Sequence, residues 1–235
     1  MTERPVMLVT GSSRGIGLGI AKHFVSAGYD VHGCSRGSTE WESEWYQHTV
    51  LDVSDEQSVT RWVRQARSRW KRIDALVCNA AFAPATHPLS LTNTDIWQQV
   101  LRTNIDGTFF ACREVARTMT AQRSGRIVTL SSMAAALHIE GTAAYAASKS
   151  AIVEMTKVLA RELAPAGVTC NVVGVSVVMT DTVTALGQAV TERALERLTF
   201  KRPLEVEEVC HVVEFFCSPA SSAVTGQVLQ LGLVT

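Results

Sequence analysis

The chain has 235 residues with 22 Lys plus Arg against 22 Asp plus Glu, 46% of them hydrophobic, which suits one compact domain over 1–235 and leaves no room for a large second one. Zero net charge and scattered arginines argue against a nucleic-acid partner, and the basic cluster at Arg61, Arg64, Arg67, Arg69, Lys71 and Arg72 has the spacing of a solvated helix face. The opening residues lack a secretory signal and no stretch approaches 18 apolar residues, so a cytoplasmic protein without a membrane partner is expected.

In chain order, apolar runs of strand length alternate with helical periods, the pattern of βαβ units in a parallel sheet. A strand at 6–9 is followed by a helix at 15–27 that stops at Gly28, then a second strand at 31–34. Residues 36–49 have room for at most a short helix before a third strand around Val50 and Leu51. Ser54 and Gln57 form a capping box for a helix to about Trp70, and 75–78 is a buried fourth strand. Thr94 caps a helical stretch to about Arg123, with a break near 104–107, and strand five covers 127–130. A helix at 143–163 ends at Pro165 and Gly167; strand six follows at 168–173, a polar helical excursion at 181–200, a helix at 205–217 and a last strand at 227–231. Six cysteines, at 34, 78, 112, 170, 210 and 217, contain no C-x-x-C pair and sit mostly in apolar runs, so free buried thiols are expected, and no metal site.

Directly after the first strand come Thr10, Gly11, Ser12, Ser13, Arg14, Gly15, Ile16 and Gly17, and then a helix. Glycines at this spacing let backbone N–H groups and the positive end of a helix approach a pyrophosphate, because no Cβ blocks the way. A carboxylate at the end of strand two would accept hydrogen bonds from the ribose of NAD; here that end reads Cys34, Ser35, Arg36. Arg36, joined by Arg14, offers the planar fork that suits a 2′-phosphate, so NADP(H) is favoured over NAD(H).

Tyr145 and Lys149 stand four apart on one face of a helix. A nearby ammonium is expected to lower the phenol's pKa from its usual value near 10, making Tyr145 a general acid toward a carbonyl oxygen. Ser131 and Ser132 end strand five at the carboxyl edge of the sheet, where a hydroxyl would face the ligand crevice.

Taken together, Thr10 to Gly17, Asp52 with Val53, Asn79 with Ala80, Asn104, Ser132, Tyr145 and Lys149 resemble the short-chain dehydrogenase/reductase family along nearly the whole chain. Within that family the sequence is similar to 3-oxoacyl-(acyl-carrier-protein) reductases and related NADPH-dependent ketoreductases. The resemblance implies a Rossmann-type doubly wound, seven-stranded parallel sheet with helices on both faces. It also implies a homo-oligomer, tetramer or dimer, with the cofactor half at about 1–125 and the catalytic and lid elements at about 126–235. It selects Ser132, 13 residues before Tyr145, over Ser131. On this resemblance Tyr145 is the proton donor or acceptor, Ser132 polarises the carbonyl, Lys149 binds the nicotinamide ribose and Asn104 holds a water in a proton relay. Asp52 and Val53 would flank the adenine, Asn79, Ala80 and Ala81 the cofactor ribose, and Val178 and Thr180 the nicotinamide.

Three departures from the family pattern bear on cofactor geometry. Ala81 replaces a glycine, Val175 and Ser176 replace a Pro-Gly pair, and Leu231, Gly232 and Leu233 replace Asp-Gly-Gly. Segments 133–144 and 181–200 should cover the substrate, presenting Leu137, His138, Ile139, Met179, Val183 and Leu186. Arg123 and Arg126 would meet an acidic carrier protein if the substrate is tethered. The resulting expectation is reduction of a ketone, a 3-oxoacyl thioester or a polyketide-like intermediate. The alternatives are an alcohol dehydrogenase acting on a small hydroxyl substrate, or a non-catalytic NADP-binding protein.

Overall fold

In a computed structural model, which describes residues 4–184 and 187–234, seven strands form one sheet in the order β3-β2-β1-β4-β5-β6-β7, every neighbouring pair parallel. The elements run β1 (Val6–Thr10), α1 (Gly15–Ser26), β2 (Asp30–Ser35), β3 (Tyr46–Val50), α2 (Glu56–Trp70), β4 (Ala75–Cys78), α3 (Thr94–Leu101) and α4 (Gly107–Gln122). They continue with β5 (Gly125–Ser132), α5 (Met133–Leu137), α6 (Ala143–Leu163), β6 (Val168–Val175), α7 (Asp181–Thr184), α8 (Gln188–Glu196), α9 (Val206–Cys217) and β7 (Val228–Gln230).

Both faces of the sheet are buried, which is why its strands read as unbroken apolar runs. Along β1, Val6 and Leu8 point into a layer with Trp62, Val115 and Ala160 of α2, α4 and α6, while Met7 and Val9 pack with Ile20, Val213 and Phe216 of α1 and α9. All six cysteines are free and buried. Strand order reverses between β1 and β4, so the crevice at their carboxyl ends is the topological switch point where ligands bind in such sheets. Among the described residues no helix is long and apolar enough to cross a membrane.

Local chemistry shifts some expected boundaries. No helix forms between β2 and β3, and β3 begins at Tyr46, ahead of the expected Val50, because Tyr46–Val50 pair in register with Val31–Ser35. Asp55, not Ser54, caps α2, its carboxylate accepting from Gln57 N at 3.2 Å; Ser54 is held by Asp52 Oδ1, 2.8 Å from its hydroxyl. Asn93 rather than Thr94 caps α3, accepting from Asp95 N at 2.7 Å. In both cases the side-chain oxygen with a two-residue reach sits one position from the residue expected. The break near 104 is a π-turn, Arg102–Asp106, whose extra residue turns Asn104 into the interior.

Candidate active site

A cleft of about 1060 Å³ crosses the carboxyl edge of the sheet. At one end Gly11 N donates to Cys34 O at 2.7 Å, tying the glycine turn to β2. Asn79 Nδ2 donates to Thr10 O and Gly11 O, both at 3.0 Å, and Thr10 Oγ1 accepts from Asn79 N and Ala80 N at 3.1 and 3.0 Å. These bonds brace the β1 and β4 ends against each other. A Cβ on Gly17 would overlap Gly11 O and Asn79 Nδ2, so α1 packs on the turn only through glycine. Gly15 begins α1 with φ +55°, and the nearest atom to a Cβ there is Thr180 Cγ2 at 3.4 Å. Arg14 precedes α1 without a side-chain cap, so no side chain at that position accepts from the first-turn N–H groups. An open glycine turn and an uncapped helix start fit a pyrophosphate.

Gly11, Ser13, Arg14, Gly15, Ile16, Ser35, Arg36, Asp52, Val53, Asn79, Ala80, Ala81, Val178 and Thr180 all line this cleft. Gly17 lies behind the turn and serves its packing. Ala81 is exposed at the wall, so its methyl group sits on the cleft surface.

Ser132, Tyr145 and Lys149 converge on the cleft floor. Ser132 ends β5 and caps α5, its Oγ accepting from Ala134 N at 3.2 Å and hydrogen-bonding the Tyr145 phenol. Ser131, in contrast, spends its hydroxyl hydrogen on Lys149 O at 3.1 Å, which ties β5 to α6. Lys149 is buried and donates from Nζ to Leu130 O at 2.8 Å. Burial pushes its pKa down to about 8, the Cys78 thiol opposing. Burial also raises the Tyr145 phenol above its usual value, with the Ser132 hydrogen bond opposing. This corrects the expectation of a lowered phenol: Nζ lies 5.8 Å from the ring centroid, engaged by a carbonyl, and desolvation outweighs it.

Asn104 is fully buried and does not line the cleft. Its Oδ1 accepts from Phe82 N at 2.7 Å, and its Nδ2 donates to Phe82 O at 3.1 Å and Ser148 Oγ at 2.9 Å; that hydroxyl donates to Tyr145 O at 2.7 Å. Asn104 therefore fastens the loop after β4 to the helix that carries Tyr145.

Of the residues expected to meet substrate, Ile139 and Val183 line the cleft. His138 and Met179 do not: His138 is an exposed helix end at φ +50°, and Met179 is half exposed outside the lining. Leu137 packs in a small cluster with Met133, Val177, Leu198 and Leu233, and Leu186 lies outside the described residues. Arg123 caps α4 at the amino end of β5, and Arg126 is the second residue of that strand. Eight strand residues, about 25 Å, separate that end from Ser132, so neither arginine borders the cleft. Charged residues on the far wall include Arg193 of α8 and Arg197, the residue that caps its carboxyl end one helical turn on, and Glu140 beside Ile139.

The facing wall comes from the loop after β4, with Pro84, Thr86 and Leu91, and from Ile96 of α3, the loop being stitched to Gly141 O by His87 N at 3.0 Å. Sequence reading left this wall out. The signal for it was the long irregular stretch between strand four and the helix at 94, at a sheet edge where loops carry function. Beneath the cleft, Ser176 Oγ is buried with no hydrogen-bond partner, and Gly232, at φ +79°, leaves room for it: a Cβ there would stand 2.8 Å from that oxygen. The chain nevertheless leaves β6 in extended form, with Val178 bridging to Leu204 and Leu204 N donating to Val177 O at 2.7 Å.

A family model described as enoyl-(acyl carrier protein) reductase matches residues 11–231. The chain is 34% identical to 3-oxoacyl-(acyl-carrier-protein) reductase FabG of Aquifex aeolicus, over 96% of this chain and 95% of that one. It is 31% identical to the reductase MabA of Mycobacterium tuberculosis, over 95% of this chain and 89% of that one. A solved structure of ElxO with NADP bound superposes with TM-score 0.90 at 25% identity, covering 97% of both chains. By sheet order, cleft and these matches, the chain belongs to the short-chain dehydrogenase/reductase family of oxidoreductases.

Proposed function

We propose that the protein binds NADP(H) along the cleft and reduces a ketone to an alcohol, the ketone being part of a 3-oxoacyl thioester or a polyketide-like intermediate. The observation that carries this reading is the meeting of the Ser132 and Tyr145 hydroxyls on the cleft floor, one helical turn from the buried Lys149. The glycine turn would hold the pyrophosphate, Asp52 and Val53 the adenine, and Arg14 and Arg36 the 2′-phosphate, since β2 ends in Ser35 with no carboxylate. When bound, the dinucleotide supplies hydride.

The protein's own groups handle the proton. Because burial raises its pKa, Tyr145 stays protonated at neutral pH and is an acid ready to donate to an oxygen that gains charge. Ser132 orients that oxygen through its hydroxyl, itself held by Ala134 N. Lys149 keeps positive charge beneath the site, and Asn104 positions the tyrosine helix through Ser148. An apolar wall of Leu91, Ile96, Ile139 and Val183 suits an acyl chain, and the two relatives are named as reductases of 3-oxoacyl chains on acyl carrier protein.

The test is NADPH oxidation over a panel of ketones that includes free and carrier-linked 3-oxoacyl thioesters, with Tyr145→Phe alongside. That variant removes one proton and keeps the ring, and turnover is expected to fall by at least about 10²-fold. Wild-type turnover in Tyr145→Phe refutes the assignment of the acid. If no ketone is turned over while NADPH binds, the non-catalytic reading replaces the enzymatic one.

A further inference from the structure

A file of hydrogen bonds along one face of β3 joins the two loops that would hold the cofactor. Tyr46 and His48, two residues apart on β3, project to the same face. The buried Ser12 Oγ of the glycine turn lies 2.9 Å from the Tyr46 hydroxyl, which lies 2.7 Å from His48 Nδ1. His48 Nε2 reaches both Gly37 O and Ser35 Oγ at 3.0 Å, and Ser35 Oγ donates to Gly37 O at 2.7 Å. The file crosses β2 because the intervening residue is Gly33, where a Cβ would overlap both Ser12 Oγ and the Tyr46 hydroxyl. That glycine is therefore required by the crossing and not by its own backbone.

Donor and acceptor capacity sets the proton positions. A carbonyl only accepts, so where His48 Nε2 meets Gly37 O the ring nitrogen is the donor, and in that tautomer Nδ1 accepts from the Tyr46 hydroxyl. The phenol oxygen is then free to accept from Ser12. Gly37 O thus receives two donors, from His48 and Ser35, on the β3 side of its loop. Arg36, Gly37 and Ser38 line the cleft at the same place. A phosphate presents only acceptor oxygens, so a carbonyl turned into the cleft would repel it, whereas one fixed behind the loop leaves only donors facing it.

We propose that His48, held in place by Tyr46 and Ser12, is a positioning residue that sets the preference for a nucleotide bearing a 2′-phosphate by fixing the Gly37 carbonyl away from that anion. The proposal rests on the NADP(H) reading above. Neither Tyr46 nor His48 lines the cleft, so both act through the loop.

The test is calorimetric titration of the whole protein with adenosine 2′,5′-bisphosphate and with 5′-AMP. Wild-type protein is expected to bind the bisphosphate at least about tenfold more tightly than AMP. His48→Ala is expected to lose most of that ratio, about fivefold or more, with AMP affinity unchanged, and His48→Gln, which keeps a donor near the Nε2 position, to restore it. Equal weakening of both ligands in His48→Ala makes the residue plain scaffold, and no change in either makes it idle; each overturns the proposal. Tyr46→Phe breaks the file one link away and should lower the ratio less than His48→Ala does; a larger loss moves the determinant to Tyr46 and overturns the assignment to His48. Equal binding of the two nucleotides by wild-type protein overturns the NADP(H) reading itself, which tells that failure apart from the others.

Discussion

The two ends of the cleft are built on opposite terms. At the glycine-turn end, Thr10, Ser12, Ser35, Tyr46, His48 and Asn79 all have hydrogen-bond partners, and Gly17 and Gly33 stand where any Cβ collides. At the far end, Ser176 Oγ is buried without a partner, and Arg193 and Arg197 make no ion pair among the described residues. Leu91 on the cleft wall and Phe200, whose N donates to Gly232 O, are 73% and 65% exposed. The first end is satisfied by the chain alone; the second leaves polar atoms and apolar surface for a molecule to meet. A rigid, self-satisfied cradle beside an under-satisfied mouth is what a shared cofactor and a chain-specific substrate require.

The largest effect that tests this contrast comes from paired glycine substitutions. Gly17→Ala drives a methyl into the Gly11 carbonyl and the Asn79 amide, neither of which can yield without breaking the β1–β4 brace. A loss of about 3 kcal/mol in urea unfolding is expected, together with loss of dinucleotide binding. Gly187→Ala, before α8, meets nothing within 4 Å and bears only the strain of φ +88°, about 1 kcal/mol. Equal costs at the two positions would break the contrast.

Much of the satisfied end was legible in the chain. Glycine spacing and strand-to-helix context are local signals, and the structure places that turn between β1 and α1 on the cleft. Burial of both sheet faces made the strands readable as apolar runs, and the break at Asn104 was visible because a polar residue interrupted a helical period. What escaped depends on packing between distant segments. Whether His48 caps a loop or faces solvent is decided by Gly33 opening a path to Ser12, a relation with no sequence period. The direction of the Tyr145 shift escaped because charge proximity is visible in Tyr-x-x-x-Lys, whereas desolvation is a property of the assembled cleft. At the far end His138 and Met179 were named by position along the chain, and the structure leaves both outside the cleft lining, His138 at the exposed end of α5 and Met179 half exposed after β6.

Lys149 lies between the two ends and carries a cost of its own. Its folded pKa of about 8 lies below the ordinary lysine value of 10.5, so between those values the unfolded chain binds more protons and stability rises with pH. Below about pH 8 the buried ammonium is a constant penalty, at most about 3 kcal/mol by linkage. Lys149→Met removes the penalty and also the donor to Leu130 O, so a net gain of about 1–2 kcal/mol at pH 7 is expected, shrinking toward pH 10. Urea unfolding at the two pH values checks this, and activity should be lost at both. A variant destabilised equally at both values would show that the ammonium is not held against a gradient, and that the cleft floor belongs with the satisfied end.

The smallest effect is the most local. Ser176→Ala deletes a buried hydroxyl with no partner, and removing such a group gains about 1 kcal/mol, or about 2–4 °C in Tm for a chain of this size. Ser176→Gly removes the same oxygen and adds backbone freedom in the unfolded chain, so it should gain less than alanine does. The ordering of the two variants separates the hydroxyl's cost from the residue's backbone role. If alanine raises Tm while the KM for NADPH also rises, the hydroxyl that the chain leaves unsatisfied is satisfied by the cofactor, and the strain at this end is the cost of recognition. If Tm rises with KM unchanged, the hydroxyl belongs to the substrate side or to neither, and a panel of ketones decides between those by whether KM for the ketone moves. A fall in Tm for both variants would place Ser176 among the satisfied residues and erase the contrast at that position.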